Sequence, residues 1–354
     1  MIRARAWRVG FLREIRDLNP GYFALVMATG IVSKAMRLDG ADALSGALLV
    51  ATIVAYFLLA AAYAWRLVRY RREFLADARA PGRAFAFFTF VAASDVLGAR
   101  LAGDGHEIAA AALLAVGGAA WLLLSYGLPL LLIGETGSRP ALASANGTWF
   151  IWVVGTESIA VTATSLRPPV PAALAALAIC CWAIGVVLYL VIAVMVAAAL
   201  FAYPVRPAEL TPPYWVFMGA TAISVLAGAQ LLSLPPGPLT TAVRGVVSGL
   251  SVVLWAFGTW LIPFLVAGGV WRHLLRRVPL AYEPGLWSIV FPVGMYGVAS
   301  RELGLALRVS WLVTLGRYEA WLALAVWAAV ALAMAWALPQ QLTAPRELQS
   351  AGDP

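Results

Sequence analysis

The sequence has few charged residues: acidic and basic side chains together make up 12% of its 354 residues, whereas 62% are hydrophobic. A soluble domain is about a quarter charged and about half apolar. The mean hydropathy is +0.86, so the chain lacks the polar surface that a water-soluble protein needs. The composition therefore predicts an all-α integral membrane protein.

Cysteine and histidine are also scarce, with two residues of each. Cys180 and Cys181 are neighbours in an apolar run, and successive residues of a helix point in different directions, so they predict neither a disulfide nor a metal site. His106 and His273 stand apart, and the sequence shows no catalytic or metal-binding motif. We therefore predict no enzyme, no metal and no cofactor.

The net charge of +8 does not indicate nucleic-acid binding, because the basic residues lie in short segments between apolar runs. With the N-terminus inside, 17 of the 25 basic residues fall in inner segments and the other 8 in outer ones. The positive-inside rule then predicts that both termini are cytoplasmic. We expect a multi-pass protein of the cell membrane.

The sequence contains ten apolar runs of the length, about 20 residues, that a helix needs to cross a bilayer. The predicted spans are 20–37, 44–66, 83–101, 108–133, 146–166, 172–201, 212–233, 241–268, 284–303 and 318–338. Residues 1–18 lack the apolar core of a signal peptide and predict an amphipathic cytoplasmic helix. The membrane domain then covers 19–338, and 339–354 predict a disordered cytoplasmic tail.

The odd-numbered spans resemble one another. Each has an aromatic residue seven positions before a shared register position; these aromatics are Tyr22, Phe87, Trp149, Tyr214 and Trp287, and the register residues are Thr29, Ser94, Thr156, Thr221 and Gly294. Each repeat comprises two helices, so successive repeats run in parallel and predict five hairpins in a pseudo-fivefold ring around a central pore. The odd spans are richer in small and polar residues, which predicts that they form the inner ring.

Positions four apart share one face of a helix, so the aromatic layer predicts which residues line the pore. Four residues further lie Val26, Val91, Val153, Met218 and Phe291, and four beyond those lie Gly30, Asp95, Glu157, Ala222 and Met295. The first set predicts a hydrophobic constriction, and Phe291, its largest member, is the predicted gate. The alternative for these positions is ordinary helix packing.

Asp95 and Glu157 are the acidic residues deepest in the predicted spans. Two interpretations remain open: they pair with basic residues such as Lys34 or Arg100, or they form a protonatable site that couples anion movement to protons. Basic residues near the outer ends of the inner helices predict a cationic mouth that concentrates anions, with solvated helix ends as the alternative. The predicted mouth consists of Lys34, Arg37, Arg100 and Arg301.

Three segments, LNPGYFALVMATGIVS (18–33), GTWLIPFL (258–265) and YEPGLWSIVFPVGMYGVAS (282–300), resemble the tellurite-resistance/C4-dicarboxylate transporter family. That family includes the plant slow-type anion channels and fungal malate and sulfite transporters. The resemblance extends from about residue 18 to 338. It implies ten helices in five hairpins around a pore, a homotrimer with one pore per subunit, and a gating phenylalanine at Phe291.

The leading functional hypothesis is a channel that passes small inorganic or carboxylate anions through a pore in each subunit. The alternative is a proton-coupled transporter or exporter of C4-dicarboxylates such as malate, of sulfite or of tellurite. An intramembrane protease that uses Asp95 and Glu157 is disfavoured, because the flanking sequences SDVLG and TESIA lack the expected aspartate motifs.

Overall fold

The computed structural model describes residues 10–134, 141–166 and 169–343, and every regular element in these ranges is helical. Ten long helices occur in the described ranges. We label them α1 (Ala24–Leu38), α2 (Asp42–Arg69), α3 (Phe88–Ala102), α4 (Glu107–Gly134), α5 (Phe150–Ser165), α6 (Ala172–Ala202), α7 (Val216–Leu232), α8 (Pro238–Val270), α9 (Trp287–Leu307) and α10 (Ser310–Thr343). Of the predicted N-terminal helix, 10–16 are helical and 1–9 lie outside the described residues, as does the C-terminal tail beyond 343.

Among the described helices, seven are long and apolar enough to cross a membrane. They are Asp42–Arg69, Ala84–Ala102, Glu107–Gly134, Ala172–Ala202, Pro212–Leu232, Pro238–Leu275 and Ser310–Gln340. Two of the other long helices, α1 and α5, are shorter, with 15 and 16 residues, and α9 carries Arg301 and Glu302. The chain is an integral membrane protein built from α-helices.

The odd-numbered helices contact one another in a closed order: α1 touches α3, α3 touches α5, α5 touches α7, α7 touches α9, and α9 touches α1. Each even-numbered helix packs against the odd-numbered helix that precedes it. The spans that contain α3 and α7 are 89% and 83% buried, whereas those of the even helices are 11% to 33% buried. We therefore call the odd helices inner and the even helices outer.

Each inner helix is preceded by a short 3₁₀ turn. These turns are Pro20–Phe23, Ala84–Phe87, Gly147–Trp149, Pro212–Trp215 and Pro284–Leu286. Three of them begin with proline, which suits the first turn of a helix because its missing N–H has no partner there. Residues of a 3₁₀ turn are about 120° apart around the axis, against about 100° in an α-helix. An aromatic residue in the turn is therefore about 60–80° around the axis from the residue four positions later, against about 40° within an α-helix.

The short helix Arg71–Arg79 is fixed to the end of α2 by charge pairs. Arg66 is buried and its Nη2 lies 2.6 Å from Asp77 of the short helix, and Arg83 Nη1 lies 3.0 Å from the same carboxylate. Arg66 Nε also donates to the carbonyl of Arg16 at 2.9 Å. These bonds hold the N-terminal helical segment, the short helix and α2 together at one end of the bundle.

Candidate functional site

Three packing contacts define the sides of α9. Pro292 lies against α7, where a methyl group added to Gly219 would be 2.8 Å from Pro292 Cγ. A methyl group on Gly294 would lie 3.0 Å from a side chain of α1, and one on Gly297 would lie 2.9 Å from a side chain of α10. Three neighbouring helices therefore cover α9 on these sides.

The remaining side of α9, between α7 and α1, carries Phe291, Met295 and Glu302. At about 100° per residue, these three residues lie within about 40° of one another around the helix axis. Phe291 and Met295 are each 1% exposed. Both side chains therefore point toward the centre of the five inner helices, the region that we call the enclosed space.

On α1, Gly30 lies against α2 and α3, since a methyl group there would meet Thr52 and Val96, and Ile31 lies against α9. At about 100° per residue, Met27 and Lys34 lie between these two contacts, on the side of α1 that faces the enclosed space. Val26 is four residues before Gly30 and therefore shares its side, toward the neighbouring helices.

The same geometry holds on α3. Asp95 contacts α4 and α5, whereas Val96 contacts Gly30 of α1. Ala92 lies between these two directions, and Val91 shares the side of Asp95, four residues later.

On α5, Glu157 contacts α6, and Gly155 packs against Phe88 of α3. Val154 lies between these directions and faces the enclosed space. Val153 shares the side of Glu157, because the two residues are four positions apart.

On α7, Thr221 and Met218 lie toward Gly258 of α8, and Gly219 lies against α9. Ala222 is buried next to Thr221. Ala220 occupies the side between α9 and α5. The enclosed face therefore carries Met27, Ala92, Val154, Ala220 and Phe291, all at most 2% exposed.

Asp95 is fully buried between inner and outer helices. A methyl group on Gly117 of α4 would lie 2.8 Å from Asp95 Oδ2, and Ser158 Oγ of α5 is 3.2 Å from the same oxygen. Oδ1 has no hydrogen-bond partner. This position differs from the expectation that Asp95 lines the enclosed space.

Glu157 occupies the equivalent place in the next hairpin. A methyl group on Gly185 of α6 would overlap Glu157 Oε1, and neither carboxylate oxygen has a hydrogen-bond partner. Within the described part of the chain, no ion pair within 4.0 Å reaches Glu157 or Asp95, so neither is paired with Lys34 or Arg100.

The three predicted outer arginines are each bonded to an acidic residue that the sequence analysis did not single out. Arg100 is 4% exposed, and its Nη1 lies 2.6 Å from Asp104 Oδ2. The other oxygen of this carboxylate, Oδ1, lies 3.2 Å from Nη2 of Arg37. Ser33 and Ser45 accept further bonds from Arg100 at 3.1 Å and 2.9 Å. The i,i+4 spacing of Arg100 and Asp104 is a sequence signal for this pair.

Arg301 is neutralised in the same way by Asp39, at 3.3 Å from its Nη1. Arg317 Nε lies 3.0 Å from the same oxygen, and Trp321 Nε1 donates to the other oxygen at 2.6 Å. Asp39 belongs to the turn between α1 and α2, so no helical periodicity predicts this contact with α9 and α10.

Lys34 is the only lysine of the sequence. Among the described residues it has no hydrogen bond and no ion pair within 4.0 Å, unlike Arg37, Arg100 and Arg301. The charges that act on it most are Glu302, which is attractive, and Arg100, which is repulsive. An ammonium group without a direct partner on the enclosed face is suited to attract an anion.

Comparison with known proteins points the same way. The family model described as SLAC1, voltage-dependent anion channel, matches residues 17–335. An uncharacterized membrane protein of Mycobacterium tuberculosis (strain ATCC 25618 / H37Rv) is 54% identical over 147 residues, which are 42% of this chain and 75% of that protein. An uncharacterized transporter of Methanocaldococcus jannaschii is 22% identical over 89% of this chain and 91% of its own length. The family resemblance of the sequence motifs is confirmed.

Proposed function

This chain belongs to the voltage-dependent anion channel family (SLAC1), and we propose that it passes small anions across the membrane through the space enclosed by its five inner helices. In this proposal all ten long helices cross the membrane as five hairpins with pseudo-fivefold symmetry. Three such subunits form a homotrimer with one path in each. Both termini and the short helix Arg71–Arg79 are cytoplasmic, in agreement with the bias of basic residues.

The observation that supports this path most directly is the position of Phe291. It lies on the side of α9 that α7, α1 and α10 leave uncovered, and Met27, Ala92, Val154 and Ala220 lie on the corresponding sides of the other four inner helices. Its ring is the largest side chain of that set, and all five residues are buried. An apolar constriction of this kind excludes water and closes the path. Phe291 is therefore the proposed gate, and its buried ring represents the closed state in this proposal.

We assign anion preference to Lys34. In a site of low dielectric, an unpaired ammonium group attracts an anion more strongly than it does in water. The arginines nearby are already bonded to Asp39 or Asp104, so they are less available to an anion than Lys34 is. The predicted cationic mouth thus reduces to Lys34, opposed by Glu302.

The second candidate is a proton-coupled transporter of C4-dicarboxylates, sulfite or tellurite. The observation that favours it is the presence of two fully buried acidic residues, Asp95 and Glu157, in a chain whose archaeal relatives are described as transporters. Proton coupling would require these acids to exchange protons during the transport cycle.

The test is flux through the purified protein in liposomes, with chloride, nitrate, sulfite and malate each imposed as a gradient, at equal pH and across a pH gradient. A channel gives anion flux that follows the anion gradient without proton movement, as reported by an internal pH dye. A coupled transporter moves protons with the anion. Flux of all four anions equal to that of empty liposomes would contradict both candidates.

A further inference from the structure

We propose that Asp95 and Glu157 are two proton-binding sites, and that the bound protons hold α3 against α4 and α5 against α6. In this arrangement the acids lie behind the enclosed face and not along it. The inference concerns packing between inner and outer helices, so it holds or fails independently of the anion that the chain passes.

Each carboxyl group fills a space that a glycine leaves on the facing outer helix. For Asp95 this glycine is Gly117, and for Glu157 it is Gly185; a methyl group on either would contact or overlap the carboxyl oxygens. In the first hairpin the glycine is on the inner helix and the larger side chain is on the outer helix. A methyl group added to Gly30 of α1 would lie 3.4 Å from the methyl carbon of Thr52 of α2. The acids are therefore packing groups as well as titratable groups.

The neighbouring hydroxyl groups offer ionised carboxylates little stabilisation, because each has only one hydrogen to donate. Ser158 Oγ donates to the carbonyl oxygen of Gly155 at 2.8 Å and, with a longer bond of 3.2 Å, to Asp95 Oδ2, so its single hydrogen is shared between two acceptors. A neutral Asp95 does not depend on that shared hydrogen, because a carboxylic acid carries a hydrogen of its own to donate.

The same holds at Glu157. The hydroxyl of Ser224 lies beside Glu157 but donates to the carbonyl of Ala220 at 2.9 Å. A protonated Glu157 can donate to Ser224 after a small rotation, whereas an ionised Glu157 would leave two buried oxygens without any donor. Such an unpaired buried charge is strongly unfavourable.

Over the described residues, no element packed against α3 supplies a counter-charge to Asp95. The acid is near Tyr56 of α2, whose hydroxyl is bonded to Ser94, and α4 has no charged residue after Glu107. Lys34 of α1 is opposed by Glu302, and Arg100 of α3 itself is bonded to Asp104.

The surroundings of Glu157 also lack a basic residue. α6 presents the thiol of Cys181 to it, as well as Tyr189 further along, and α7 and α4 present no basic residue over their described lengths. Asp95 of α3, a second acidic group, acts on the same thiol. A bound proton is therefore what neutralises each of these carboxyl groups.

The sign of the pH effect follows from these contacts. In the unfolded chain both carboxyl groups release their protons above about pH 4. The native protein holds more protons than the unfolded chain at neutral pH, so its stability decreases as pH rises. Deprotonation is also expected to separate α3 from α4 and α5 from α6, because water must enter to hydrate the charges.

The test uses the full-length protein in detergent and needs no ligand. Infrared spectra of the wild type at neutral pH should show the carbonyl stretch of protonated carboxylic acids, and Asp95→Asn and Glu157→Gln should each remove part of it. Asp17→Asn, at a side chain that is 65% exposed, is the matched control and should leave the band unchanged. A wild-type spectrum without this band would overturn the proposal, whether or not the variants fold.

The second measurement is the melting temperature between pH 6 and pH 9. The wild type should lose stability across this range, and the double variant Asp95→Asn/Glu157→Gln should lose most of that dependence while remaining folded at pH 6. A double variant as sensitive to pH as the wild type would show that the acids do not carry the bound protons.

Discussion

Trp327 on α10 donates a hydrogen bond from Nε1 to Oγ1 of Thr29 on α1, with a length of 3.0 Å. The two residues are 298 positions apart, so this bond joins the last described helix to the first long one. The hydroxyl of Thr29 in turn donates a hydrogen bond to the carbonyl of Leu25 at 2.8 Å. The bond therefore fixes α10 against α1, next to the contact between α9 and α1 that completes the closed order of inner helices.

Equivalent bonds occur between other outer helices and the inner helix of the following hairpin. The pairs are Tyr56 with Ser94 at 2.9 Å, Trp121 with Thr156 at 2.8 Å, and Trp255 with Ser300 at 2.9 Å. On α6 the aromatic donor is Trp182, whose Nε1 bonds the backbone carbonyl of Ser224 on α7 at 3.1 Å instead of a hydroxyl group. Aromatic donors on the outer helices thus link successive hairpins through the hydroxyl groups of the inner helices.

The first prediction concerns this closing bond. Trp327→Phe and Thr29→Val should each destabilise the protein, and a double-mutant cycle should give a coupling free energy of about 0.5–1.5 kcal/mol, the usual net value of one hydrogen bond. The measurement is chemical or thermal unfolding of the four proteins in detergent. Trp336→Phe, on the same helix but 75% exposed, is the control and should leave stability unchanged. A coupling energy of zero would refute the bond.

The second prediction uses two adjacent glycines of α4. Gly117→Ala places a methyl group against Asp95 and should lower the free energy of unfolding by about 1–3 kcal/mol, as overpacking does. Gly118→Ala meets nothing within 4 Å and should be neutral or stabilise the helix by about 0.5–1 kcal/mol. Thermal melts of both variants decide this. Equal stability would mean that the Asp95 carboxyl is not located against α4.

The third prediction concerns selectivity. Lys34→Met should reduce anion flux in liposomes by about tenfold, which corresponds to about 1.4 kcal/mol of barrier, and Lys34→Arg should retain most of it. Glu302→Gln removes the opposing charge and should raise flux. Arg317→Gln, at a side chain that is 66% exposed, serves as the control. Unchanged flux in Lys34→Met would exclude the assigned role.

The fourth prediction concerns orientation. In a variant with Cys180 and Cys181 replaced, Arg72→Cys lies on the short helix and His106→Cys lies in the turn between α3 and α4. The bias of basic residues predicts that an impermeant thiol reagent added to intact cells labels the His106→Cys variant alone. Labelling of Arg72→Cys from outside would reverse the topology.

Much of the helix pattern could be predicted from the sequence, because long apolar runs impose it. Each of the ten predicted spans corresponds to one of the long helices described, with shifts of a few residues at most ends. The last helix begins at Ser310, eight residues before its predicted start, because the sequence interpretation assigned Arg308 and Arg317 to the outer segment before that span. The short helix Arg71–Arg79 has no apolar run and was not predicted.

The inward faces were harder to predict, for a reason that lies in the 3₁₀ turns. Tyr22, Phe87, Trp149 and Tyr214 all belong to these turns, which add about 20–40° to the rotation over four residues and so weaken the four-residue rule. Trp287 is instead the first residue of the α-helix itself, so the rule holds there and leads to Phe291. Contacts made through turns, such as those of Asp39 and Asp104, have no periodicity from which they could be predicted.

The central claim is that Phe291 closes an anion path, and the decisive comparison is with a phenylalanine that only packs. Phe150 is equally buried but stacks on Phe217 at 4.4 Å between α5 and α7. Phe150→Ala should cost about 3–5 kcal/mol of stability, as loss of a core phenylalanine does, with no gain in flux. Phe291→Ala should increase anion flux through proteoliposomes and lower the melting temperature less than Phe150→Ala does. Unchanged flux in Phe291→Ala, with a melting temperature as low as that of Phe150→Ala, would contradict the gate.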